Sequence, residues 1–152
     1  YIYNLDSNIY LIMKKGITFG AFDLFHAGHV LMLEEAKDVC DHLTVCIQTD
    51  PSLDRPEKNS PVQSVIEREI QISACKYVDE VRIYDTEEDL LDILKNTDWD
   101  IRILGDEYKD KPFTGKDLCE GKCFFNLRDH NFSSSELRKR VSSLQFKAVK
   151  EV

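Results

Sequence analysis

Short apolar runs that alternate with helical patterns predict an α/β chain: a doubly wound, mostly parallel five-stranded sheet with helices on both faces. A glycine-bearing turn joins the first strand to the first helix, where such sheets place their ligands. No Gly/Ser linker or internal repeat divides the 152 residues, a length that suits a single domain.

The elements follow in order. Residues 1–12 read as an upstream extension or an expression remnant, because Met13-Lys14-Lys15 before an apolar run looks like a natural start. The domain then occupies 13–152. Gly16–Gly20 is a brief buried strand, and Leu33, Ala36 and Cys40 lie at helical spacing within 29–40. Leu43–Thr49, rich in β-branched residues, is the clearest strand. A polar, proline-bearing loop covers 51–59. Pro61 suits a helical first turn, with Val62, Val65, Ile66, Ile70 and Ala74 supplying the inward face. Val81–Tyr84 is a third strand. Leu90, Leu91 and Leu94 mark a helix over 87–96, and Ile101–Leu104 a fourth strand ended by Gly105. Cys123–Asn126 is a fifth strand, and Ser133 with Glu136 caps a last helix to Val141 in an S-x-x-E box. This is a Rossmann-like order of elements, with the loops after residues 20, 49, 104 and 126 on the functional edge.

Composition narrows the function classes. With 42% hydrophobic and 32% charged residues the chain is globular rather than disordered. A net charge of −8 argues against a general nucleic-acid binder. No apolar run approaches the roughly 18–20 residues of a membrane span. The odd count of five cysteines and the lack of a leader pattern predict a cytoplasmic protein. Cys119 and Cys123, in C-x3-C spacing with His130 further on, lack the second ligand pair that zinc requires, so no metal site is expected from protein ligands.

The segment Phe19-Gly-Ala-Phe-Asp-Leu-Phe-His-Ala-Gly-His29 carries the chemistry. Gly20 permits a tight exit from the strand, and Gly28 a close approach between two imidazoles. His26 and His29 stand at a helix N-terminus, whose free N–H groups and partial positive charge favour phosphate. Alone, an H-x-G-H is as well read as a cap and a turn; strand, glycine turn, histidine pair and helix in succession favour a ligand site. Asp23 reads as a turn former.

This loop resembles the signature of the cytidylyltransferase-like nucleotidyltransferases, and within them the small glycerol-3-phosphate cytidylyltransferases. Ile47-Gln-Thr-Asp50, Glu67-Arg68, Lys76 to Val81, Leu104-Gly-Asp106 and Arg128 through Arg138 extend the resemblance over about residues 13–142. It implies transfer of CMP from CTP to a phosphorylated alcohol, glycerol 3-phosphate as the best candidate, with Mg2+ accompanying CTP and a homodimer as the assembly. His26, His29 and Arg128 are the implied catalytic residues. Phe19, Gly20, Ala21, Phe22, Gly28, Asp106, Ser133 and Ser134 are implied to bind nucleotide, with one serine capping the helix and the other hydroxyl free for phosphate. Asp106 serves the base, ribose or Mg2+ environment.

Arg55, Lys58 and Arg68 are implied to hold the acceptor phosphate, although Arg68 also reads as a solvated charge beside Glu67 or Glu69. Two departures stand out. Leu53-Asp-Arg-Pro-Glu-Lys58 replaces a lysine cluster, and Ala21 replaces a hydroxyl residue, a loss of about 0.5–1.5 kcal/mol. Trp99 reads as packing. Two other functions compete: a sugar-phosphate adenylyltransferase of the ADP-heptose synthase type, which shares the Phe-Asp-x-x-His-Ala-Gly-His loop, and a nucleotide sensor, which should lose one or both histidines.

Overall fold

The structure is a computed structural model and describes residues 13–144, so the expected extension at 1–12 and the end of the expected domain lie outside the described residues. Nine main elements follow one another: β1 Lys15–Gly20, α1 Ala27–Asp38, β2 His42–Gln48, α2 Val65–Ser73, β3 Glu80–Tyr84, α3 Glu87–Asn96, β4 Ile101–Gly105, β5 Cys123–Asn126 and α4 Ser134–Ser142. The strands form one all-parallel sheet in the order β3-β2-β1-β4-β5. Ile17 is in register with Thr44 on one side and Arg102 on the other. The chain winds outward from β1 in both directions, so the order reverses between β1 and β4.

Each face has its own core. Leu33 and Ala36 from α1 and Ile72 from α2 pack with Val45, Ile47 and Ile103. Leu90 and Leu94 from α3 pack with Ile17, Cys46 and Tyr84 on the other. At about 25 cal/mol per Å2 of apolar area removed from water, these two layers are the main driving force holding the sheet together. Trp99 joins the second layer and donates its Nε1–H to the Leu94 carbonyl at 2.9 Å, as packing predicts.

The α2 helix departs from expectation. It begins at Val65 behind a Ser64/Glu67 capping box, with Ser64 N–H donating to Glu67 Oε2 at 2.7 Å. Pro61 lies ahead of the helix, outside its first turn. Val62, Ile66 and Ile70, expected inside, are 66%, 64% and 64% exposed, and Ala74 is exposed as well. The buried stripe is instead Arg68 and Ile72. Arginine takes the core position because its donors find backbone carbonyls there. The α1 helix starts two residues earlier than expected because His26 caps it. In α4, Ser133 Oγ accepts from the Glu136 N–H at 3.1 Å, and the reciprocal carboxylate bond of the expected box is not formed.

Candidate functional site

A cavity of about 640 Å3 opens at the carboxyl ends of β1 and β4, at the reversal in strand order. Its histidine wall follows from local bonding. His26 is the N-cap of α1, and its Nδ1 accepts from the Gly28 N–H at 3.0 Å. His29, one turn in, accepts the His26 N–H at its own Nδ1 at 3.3 Å. With both Nδ1 atoms accepting, each neutral ring carries its proton on Nε2. The two rings stack with centroids 4.0 Å apart, and Phe25 lies parallel to His29 at 5.6 Å. Burial first, and then His26, hold the His29 imidazole down to about 3. Burial, with help from His130 and Arg128, also lowers His26. Capping and ligand-facing roles therefore coexist in His26.

Gly28 sits between two imidazoles, but they are His26 and His130 rather than the expected His26 and His29. A Cβ on Gly28 would stand 2.9 Å from His26 Cε1 and 3.0 Å from His130 Cε1, so no side chain fits. His130 repeats the local pattern, its Nδ1 accepting the Phe132 N–H at 3.3 Å. The sequence offered His130 only as a remote zinc ligand. Among the described residues no three His, Cys, Asp or Glu side chains group as a metal cage. Cys119 Sγ faces the Gly115 carbonyl at 3.1 Å.

The loop is strained and held. Phe22 and Leu24 have φ of 51° and 50°, a left-handed backbone that costs of order 1–3 kcal/mol at each non-glycine residue. Asp23 between them does more than make a turn. Its carboxylate accepts from Val62 N–H and Gln63 N–H, both at 2.9 Å, and pairs with Arg138 Nη2 at 2.5 Å. Burial pushes the Asp23 carboxyl up, and these donors outweigh it and hold the group below the usual carboxylate range. Leu24 N–H donates to Gln63 Oε1 at 2.7 Å. Arg138 is thus a positioning residue; the sequence marked it only as the end of the resemblance that starts at Arg128 and gave no sign of its pairing with Asp23.

Phe19, Gly20, Ala21, Phe22, Asp106, Arg55, Lys58, Arg128, Ser133 and Ser134 all line the cavity alongside the histidines. Arg128 is exposed and pairs with no carboxylate among the described residues. Ser133 Oγ caps α4 by accepting the Glu136 N–H, and Ser134 donates its hydroxyl to the Asp23 carbonyl at 3.0 Å, so the hydroxyl proton left without an acceptor among the described residues is that of Ser133. Beside that hydroxyl, α4 offers an anion its uncapped backbone N–H groups, at Ser134 and Ser135. Arg55 donates to Gln48 Oε1 at 2.8 Å and pairs with Glu87 at 3.2 Å, whereas the Lys58 ammonium has no partner among the described residues.

Arg68 is the exception. It is 1% exposed and lies outside the cavity. Its guanidinium donates to the carbonyls of Ala21 at 2.7 Å, Gln48 at 2.6 Å and Thr49 at 2.6 Å, and its Nε–H is shared between those of Gln63 at 3.2 Å and Ser64 at 3.3 Å. Those bonds tie β1, β2 and α2 together and keep the buried side chain out of the cavity, so the expected role of holding the acceptor phosphate is withdrawn. Neither is it a solvated charge. On the opposite wall, sequence reasoning passed over Arg102, Phe113 and Thr114, which line the cavity from β4 and the segment after it. Arg102 looked like an ordinary polar residue in an alternating strand.

Known proteins resemble the chain in sequence and in fold. A glycerol-3-phosphate cytidylyltransferase of Bacillus subtilis is 31% identical over 132 residues, 87% of this chain and 100% of its own. The bifunctional protein HldE of Campylobacter jejuni is 34% identical over 129 residues, 84% of this chain but 28% of its own length. A lipopolysaccharide core biosynthesis protein of Thermoplasma volcanium superposes with a TM-score of 0.59 at 29% identity, over 72% of this chain and 85% of that one. The cytidylyltransferase-like family profile matches residues 17–146, most of the β1-to-α4 unit whose edge carries the histidines. By this match and these relatives, the chain belongs to the cytidylyltransferase-like family.

Proposed function

We propose that the protein transfers CMP from CTP to a phosphorylated alcohol, glycerol 3-phosphate as the best candidate, releasing pyrophosphate. The observation that carries this reading is the histidine pair. Two neutral imidazoles, fixed as Nε2–H donors at the start of α1, face a cavity shared with Arg128 and the start of α4. That is a set of aligned donors with no nucleophile among them, suited to a reaction whose barrier is lowered by positioning and charge stabilisation. An acceptor phosphate oxygen attacks the α-phosphorus in line; the bond to the bridging oxygen breaks and pyrophosphate departs with that electron pair.

In this reading His26 and His29 donate to the oxygens of the α-phosphate and its transition state. Arg128 and the backbone N–H groups at the start of α4 take the β- and γ-phosphates, and Asp106 stands on the nucleoside side. Lys58, with no partner of its own, meets the acceptor phosphate, while Arg55 is held by Glu87 at the wall. Mg2+ would come with the triphosphate and neutralise its charge, as the few protein carboxylates facing the cavity suit a metal carried mainly by phosphate oxygens and water. A homodimer and a cytoplasmic setting belong to the same reading. The exposed Val62, Ile66 and Ile70 support the first and five free cysteines the second.

Pyrophosphate release tests the proposal, measured with Mg2+, CTP or ATP, and a panel of phosphorylated alcohols and sugar 1-phosphates. Release with CTP and glycerol 3-phosphate is expected. Release with ATP and a sugar phosphate alone would instead favour the activity of the HldE type, which the similarity over 129 residues keeps in contention.

A further inference from the structure

Arg102 is buried in the cavity wall without a counter-charge. It lies on β4 in register with Ile17, is 3% exposed, and lines the cavity. Its guanidinium carbon sits 5.2 Å from the Phe19 ring centroid and 5.1 Å from that of Phe113. Nη1 donates to the Thr114 carbonyl at 2.6 Å. Nε is fully buried with no partner, and Nη2 makes no hydrogen bond among the described residues. No carboxylate stands within ion-pair distance of Arg102 among those residues. Glu87, which the Thr114 hydroxyl reaches, is already paired with Arg55.

A buried guanidinium is ordinarily paired with an anion, because its desolvation is otherwise uncompensated. The two aromatic faces offset part of that cost and at the same time exclude water. They do not use the planar N–H donors. Two adjacent donors held at fixed geometry match the two oxygens of a phosphate or carboxylate.

We propose that Arg102 is the anion-recognition residue of an acceptor subsite, holding a phosphate or carboxylate group of the acceptor between Phe19 and Phe113. The word acceptor rests on the cytidylyl-transfer reading above; the anion site does not. The competing role is a clamp, in which Arg102 only fastens the segment after β4 through Thr114.

The test is thermal denaturation of the wild type, R102M and R102K with inorganic phosphate or glycerate titrated over saturating CTP and Mg2+. A saturable rise in Tm is expected for the wild type with one anion or both, and whichever gives it names the group. The apparent Kd for that anion should weaken about tenfold or more in R102M and less in R102K, as losing a charge-assisted bidentate contact implies. CTP affinity should stay within about twofold in all three. The proposal is overturned if R102M keeps the wild-type anion response, if CTP affinity falls instead, or if the wild type responds saturably to neither anion. Should R102M fail to fold, an unchanged anion response in R102K overturns it equally. If no nucleotide binds the wild type, the cytidylyl reading fails alone, and the same titrations without nucleotide still decide Arg102.

Discussion

The scaffold behind the histidine loop and the wall in front of it use similar side chains to opposite ends. Behind the loop, Asp23, Arg68 and Arg138 meet backbone groups or one another: Asp23 accepts from two N–H groups and from Arg138, and Arg68 donates to five carbonyls. In front, His26, His29, Lys58, Arg102 and Arg128 keep donors that no protein group takes up. Burial does not distinguish the two sets, since Arg68 and Arg102 are 1% and 3% exposed. Whether the donors are matched does. Arg68 spends its donors on carbonyls and holds the fold, whereas Arg102 leaves Nε and Nη2 unmatched in the cavity wall; Arg138 stands between them, its Nη2 on Asp23 and its buried Nε without a partner.

Substitutions should separate the two. His29→Ala is expected to lower kcat by about two to four orders of magnitude, as for other preorganised charge-stabilising donors. It should cost only about 1 kcal/mol of stability, through the lost reciprocal cap. Steady-state kinetics beside chemical denaturation read both, and near-normal kcat would dissolve the distinction from the front.

Arg68→Met should do the reverse. Leaving five carbonyls without their donor is expected to destabilise by about 3 kcal/mol or more, measured by urea denaturation. A loss under about 1 kcal/mol together with a raised acceptor KM would return Arg68 to the site.

Acid should weaken both regions, the histidine first and the carboxylate lower, in windows that overlap at about pH 3–4. His29 is held down to about 3, so the unfolded state binds its proton first, below about pH 6.5. Stability is therefore expected to fall as pH drops from about 6.5 towards 3, and His29→Ala should flatten that part of the profile. Asp23 lies below its ordinary carboxylate value, so its contribution is present above about pH 4 and is lost as pH falls through its lowered folded value. Asp23→Asn should remove that second, more acidic loss and leave the first.

The smallest effect belongs to the outward face of α2. Ile66→Glu, at a position 64% exposed, should change monomer stability by no more than about 0.5 kcal/mol. If α2 carries the homodimer contact, light scattering should show a shift to the 17.6 kDa monomer.

The sheet was legible because β-branched runs such as Leu43–Thr49 and the leucines at 90 and 94 state their periods plainly. The histidine loop was legible because glycine, histidine and the helix start fall within eleven residues. The α2 face was not. Val62, Ile66 and Ile70 make a better apolar stripe than Arg68 and Ile72, and periodicity has no means of preferring an arginine. Arg138, His130 and Arg102 acquire meaning only through residues tens of positions away: Asp23, Gly28 and Phe19. Sequence also credited Ser134 with a free hydroxyl, which folding turns towards the Asp23 carbonyl instead.

The bonds that cap α1 have one more consequence, for nucleophilicity. An imidazole attacks phosphorus through an unprotonated nitrogen. In His26 and His29 the Nδ1 lone pair is directed at a backbone N–H, and Nε2 carries the hydrogen. Neither ring presents a lone pair to a phosphate without first releasing the helix start. A phosphohistidine or a nucleotidylated histidine at His26 or His29 is therefore disfavoured, which on the cytidylyl-transfer reading predicts one displacement with inversion at phosphorus rather than a ping-pong route.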